Sequence, residues 1–148
     1  MRPEPASTRR SAALFCAAAA IVAVPIAYAT AASGYGVAVL DPARDLAAIA
    51  LWSVAEEIVF RGALQPALAR RFERGASAWL TPANALTSVL FAALHLWRHP
   101  IVVAVLVFPV SLVYGRAREL TGRTWPAALL HALFNGLLYA ASWLRAGA

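Results

Sequence analysis

Apolar runs approaching the roughly 20 residues that cross a ~30 Å hydrocarbon core limit this fold more than any other feature. Five can be read along the 148 residues: Ser11–Ser33, about Leu46–Leu68, about Ala83–Trp97, about Ile101–Gly115 and about Trp125–Leu144. A soluble chain has few places to put such segments. With 61% hydrophobic and 14% charged residues, the composition also excludes disorder, which needs low hydrophobicity and high charge. Cys16 is the only cysteine, so a disulfide scaffold is excluded too. The fold class expected is all-α: a polytopic membrane helical bundle of about five transmembrane helices. Spans three and four are short and are expected to tilt little or to thin the bilayer.

Local signals place the helix starts. Asp41-Pro42, Thr81-Pro82, His99-Pro100 and Trp125-Pro126 each put proline at a first helical position, where its missing N–H does no harm. Asp41 and Thr81 are good N-cap types. Pro66 and Pro109 fall inside apolar runs and predict kinks or early ends. Tyr114-Gly115 and Leu120-Thr121-Gly122 mark the stop of the fourth helix. No repeat or linker divides the chain, so residues 1–148 read as one domain with a catalytic core of about 46–144.

The net charge of +6 is carried by 13 arginines and no lysine. They cluster between the apolar runs, which argues against a nucleic-acid partner and for membrane loops. Arg2, Arg9, Arg10, Arg70, Arg71, Arg74, Arg116, Arg118 and Arg123 fall on one side of the map. Arg44, Arg98 and Arg145 fall on the other, and Arg61 lies within a span. The positive-inside rule then predicts a cytoplasmic N-terminus and an external C-terminus. Residues 11–33 read as a retained signal-anchor helix. A cleaved signal peptide ending near Ala27-Tyr28-Ala29 is the competing reading.

Ionisable groups inside membrane helices cost roughly 2.5–3.5 kcal/mol on insertion scales, so each is a functional candidate. Span two carries Glu56, Glu57 and Arg61. Glu57 and Arg61 stand four apart and can pair, whereas Glu56 is rotated about 100° away and has no partner in its own helix. Span three carries His95, with Phe91 one turn before it. Span five carries His131 and Asn135, also four apart. Read blandly, the acids and Arg61 form a structural network, His95 packs, and the His131/Asn135 pair is interhelical glue. Together the set can perform hydrolysis: a carboxylate takes a proton from water, a histidine holds that water, and two donors stabilise an oxyanion. No serine with a base at helical spacing suggests a nucleophile. Glutamate with two histidines can also bind zinc, but no His-Glu-x-x-His stands on one helix, so the spacing requires no cofactor.

EEIVFR, FAALH and HALFN, in this order and each within an apolar span, match Glu-Glu-x-x-x-Arg, Phe-x-x-x-His and His-x-x-x-Asn. From about Leu51 to Tyr139 the chain resembles the CAAX-prenyl-protease-like and bacteriocin-processing family of intramembrane glutamic proteases. The resemblance implies that Glu56 activates water with His95, that His131 and Asn135 form the oxyanion site, and that Glu57 and Arg61 support them. Some members have been described as metalloproteases, which leaves zinc dependence open. The implied partners are the bilayer and a membrane-anchored or lipidated substrate. That substrate is cut near its C-terminus, at a prenylated-type peptide or a bacterial C-terminal sorting tail. The small, Lys-free, Ala- and Arg-rich chain favours a bacterial source and the sorting tail. A membrane immunity or scaffold protein and a small ion or proton pathway are the alternatives.

Overall fold

A computed structural model describes residues 6–32, 41–72 and 80–146. These contain six α-helices: α1 (Ala6–Ala32), α2 (Pro42–Glu57), α3 (Gln65–Phe72), α4 (Pro82–His95), α5 (Ile101–Thr121) and α6 (Trp125–Ala146). The π-helical segment Ile58–Leu64 joins α2 directly to α3, so the described residues form five rods. α1, α5 and α6 are long and apolar enough to cross a membrane. This is a membrane protein with a helical-bundle fold.

The caps behave as the local signals predict. The Asp41 carboxylate accepts from Ala43 N–H and Arg44 N–H at 3.2 Å each. Thr81 Oγ1 accepts from Asn84 N–H at 3.1 Å. Pro42 and Pro82 each begin a helix, whereas Pro100 is itself the cap residue before Ile101 and Pro126 is the second residue of α6.

Three expectations are corrected. The fourth span does not stop at Gly115: α5 is 21 residues long and runs to Thr121, so of the two expected stop signals the later one holds, with Gly122 at φ 65° giving the left-handed C-terminal cap. Arg116 and Arg118 are therefore helical residues rather than loop residues. Both have partners there: Arg116 pairs with Glu119 three residues on in the same helix at 3.3 Å, and Arg118 reaches the π segment. Pro109 ends nothing, since α5 runs through it, and α3 runs through Pro66 after the π segment. Arg2 and Arg74 lie outside the described residues.

Burial is inverted relative to a water-soluble bundle. The largest fully buried side chains are Arg61, Glu57, Asn84, Thr87, Ser53, Ser88 and Ser111, while Ile21, Leu51, Trp52, Leu94, Val105 and Leu144 are exposed. Lipid is as apolar as these exposed side chains, so burying them brings nothing. Association rests instead on close approach of small residues and on hydrogen bonds between helices. The α4–α5 crossing illustrates both. Asn84 Nδ2 donates to Leu112 O at 3.0 Å, and Ser88 Oγ donates to Asn84 Oδ1 at 3.3 Å. A Cβ at residue 115 would fall 1.8 Å from Asn84 Oδ1, so glycine there makes the room that the Asn84 amide occupies. Tyr114, Ala117, Ala127 and Leu130 form the apolar centre between α5 and α6, with Phe15, Cys16, Ala19 and Ala20 of α1 packed on it.

Candidate functional site

The site begins with the pair that helical spacing predicts. Arg61 Nη1 donates to Glu57 Oε1 at 2.9 Å, and both side chains are 0% exposed. A buried arginine needs more than one partner. Arg61 Nη2 donates to the Ser111 carbonyl at 2.8 Å and also to Ser111 Oγ. The guanidinium carbon lies 4.8 Å from the Phe91 ring centre and 5.6 Å from that of Tyr114, within cation–π range.

Glu57 then reaches across to α6. Its Oε1 also lies 3.0 Å from His131 Nδ1. A carboxylate oxygen only accepts, so Nδ1 carries the hydrogen, and in the neutral form of the ring Nε2 is then a bare acceptor. Aromatic rings hold the imidazole in this orientation. Tyr114 stacks on it at 5.0 Å and 19°, and Phe91 meets it edge-on at 5.7 Å and 80°.

Nε2 faces the other glutamate. Glu56 Oε2 lies 3.8 Å from His131 Nε2, and the Glu56 side chain is 41% exposed. The two neighbouring carboxylates therefore occupy opposite environments: Glu57 is sealed in and compensated, and Glu56 is open and faces an acceptor. Two acceptors at this distance form no hydrogen bond to each other. They can share a proton or receive one from a molecule placed against both.

Glu56 lines a cavity of about 280 Å³ between α2 and α6, together with Ser53, Trp52, Asp45, Asn135 and Tyr139. Asn135 Nδ2 donates to Ser53 Oγ at a long 3.4 Å, and Tyr139 OH donates to Asp45 at 2.9 Å. A larger groove of about 440 Å³ lies among α1, α6 and the end of α5. It is lined mostly by apolar side chains and includes none of the candidate residues.

His95 stands apart. Its Nδ1 lies 2.9 Å from the Phe91 carbonyl, and its ring is 4.9 Å from that of Phe91 and 6.0 Å from that of His99. Among the described residues no hydrogen bond or ion pair links it to Glu56 or His131. Depths counted from the helix starts place His95 at ~20 Å and His131 at ~8 Å. In keeping with that offset, the α4 side chain in ring contact with His131 is Phe91, one turn before His95.

The donor set can be compared with what a metal ion requires. Glu56 and His131 converge, but no group of three or more His, Cys, Asp or Glu able to hold a metal ion occurs among the described residues. The donors as arranged do not fit one.

Five residues that sequence reasoning passed over take part: Ser53, Asp45, Ser111, Tyr114 and Tyr139. Ser53 has a local signal, because it stands four before Glu57 and three before Glu56. Ser111 and Tyr114 have none, because their partners lie on other helices.

The Rce1-like family model, type II CAAX prenyl endopeptidase, matches residues 39–137. That range contains Glu56, Glu57, Arg61, His95, His131 and Asn135. No curated protein and no solved structure matches the chain.

Proposed function

The chain belongs to the Rce1-like family of type II CAAX prenyl endopeptidases, and from that premise we propose that it is an intramembrane endopeptidase. It cuts near the C-terminus of a membrane-anchored or lipidated protein by glutamate-activated attack of water. The observation that carries this reading is Glu56 Oε2 standing 3.8 Å from His131 Nε2 at the wall of a cavity, with His131 Nδ1 already committed to Glu57.

The chemistry follows from that arrangement. Glu56 takes a proton from a water that attacks the scissile carbonyl carbon. The proton passes to His131 Nε2, giving an imidazolium that its hydrogen bond to Glu57 orients and that the restored Glu56 carboxylate faces as countercharge. The imidazolium and Asn135 Nδ2 then donate to the oxyanion. As the C–N bond breaks, the proton leaves on the amine and His131 returns to its neutral form. His95 enters by analogy with the family, holding the water against Glu56 once substrate fills the cavity.

The test is cleavage of two probes by purified protein in liposomes. One is a farnesylated fluorogenic peptide ending in Cys-aliphatic-aliphatic-X, and the other is a membrane-inserted helix ending in a short hydrophilic tail. Wild type is expected to cut at least one, with the bond identified by mass spectrometry and the rate unchanged by chelator. Failure on both, with intact fold, removes the protease reading and favours a silent scaffold. Loss on chelation with recovery in zinc keeps the protease and replaces the metal-free mechanism with a metal-bound one.

The orientation belongs to the same proposal: a multi-pass protein with its N-terminus cytoplasmic and its C-terminus external. Reporter fusions after Arg123 should read cytoplasmic and after Arg145 external. A cytoplasmic reading at Arg145 overturns it.

A further inference from the structure

The helix that carries the glutamates changes register just beyond them. From Ile58 to Leu64 it is π-helical, and Gln65 N–H donates to Phe60 O, five residues back. In that register the next donor, residue 66, would serve the Arg61 carbonyl. Residue 66 is proline and has no N–H. Arg61 is fully buried, so its carbonyl would go unsatisfied, a costly state away from water. Arg118 Nε, 57 residues further along, donates to it at 3.1 Å.

The contact belongs to a pattern along one face of α5. Ser111, Gly115 and Arg118 follow at the i, i+4, i+7 spacing of a helix stripe. Ser111 takes the Arg61 guanidinium, Gly115 O accepts from Gln65 Nε2 at 3.2 Å, and Arg118 takes the Arg61 carbonyl. One stripe thus grips the end of the π segment by the side chains of Arg61 and Gln65 and by the Arg61 carbonyl that the helix leaves without a donor.

We propose that Arg118 is a positioning residue of the candidate active site, standing in for the N–H that Pro66 lacks and so locking the π register. One residue inserted into a helix turns the downstream turns by about 100° relative to the upstream ones. The register therefore sets how Arg61 meets Glu57, and Glu57 in turn orients His131. The catalytic consequence rests on the protease reading; the structural one rests on geometry alone.

The test uses the full chain in detergent with Arg118→Ala, Pro66→Ala and the double variant. Amide exchange across residues 58–66 is read by mass spectrometry, and cleavage is read with whichever of the two probes wild type cuts. Arg118→Ala should speed exchange about tenfold and lower kcat about tenfold, with KM within about twofold, as expected for one lost hydrogen bond. Pro66→Ala alone should match wild type. The double variant should recover both readouts, because Pro66→Ala restores the backbone donor.

Wild-type exchange in Arg118→Ala, or a double variant that exchanges as fast as Arg118→Ala, overturns the proposal. Exchange restored without kcat overturns the positioning role. If Arg118→Ala is recovered only as aggregate, a folded double variant supports the inference and an aggregated one overturns it. Should wild type cut neither probe, the protease reading fails while the exchange comparison still decides the register.

Discussion

Glu56→Gln should leave a folded protein that no longer cuts. The substitution keeps shape and hydrogen-bonding capacity but removes the base. Positioned proton transfer contributes on the order of 10²–10⁴ in rate, and the loss should fall in that range. Stability should hardly move, because Glu56 is 41% exposed and its near neighbour His131 Nε2 is 3.8 Å away, beyond hydrogen-bond length. The measurement is the initial rate on the cleaved probe beside the thermal midpoint of the same preparation. Full activity would sink the glutamate mechanism. A matching loss of folded protein would place Glu56 among the structural residues instead.

Arg61→Ala should do the opposite and damage the fold first. It leaves Glu57 fully buried without its countercharge, empties the space between Phe91 and Tyr114, and frees the Ser111 carbonyl. Removing one partner of a buried pair costs about 3–5 kcal/mol. Folded yield and thermal midpoint should fall together with activity. Replacing both partners, Glu57→Leu with Arg61→Leu, removes the stranded charge and should recover much of the fold. It should not recover activity, because His131 Nδ1 loses the acceptor that orients it. Normal yield in Arg61→Ala with activity abolished would move Arg61 into direct contact with the reaction. A double-leucine variant that regained full cleavage would remove Glu57 from the orienting role.

The two glutamates show how far reading along one helix reaches. Their neighbouring positions and the i,i+4 relation to Arg61 were legible, because helical periodicity is a local property. So was the separation of roles: one carboxylate paired, the other without a partner in its own helix. The caps at Asp41 and Thr81 were legible for the same reason, since an N-cap is decided within four residues.

Other features were decided by helices meeting across the bundle. Beyond its apolar stretch α5 carries Arg118, whose partner is the Arg61 carbonyl on another helix, a contact that hydropathy does not register. The nitrogen that His131 offers to Glu56 depends on Glu57, 74 positions earlier. That Phe91 rather than His95 meets His131 depends on the relative height of α4 and α6. Sequence alone determined a membrane helical bundle, its family and the identity of its costly polar groups, because each follows from composition, short-range spacing or motif order. Tertiary structure alone decided which of those groups touch. Rotation and height of one helix against another are set by small-residue packing and by hydrogen bonds between distant segments, as where Gly115 admits Asn84.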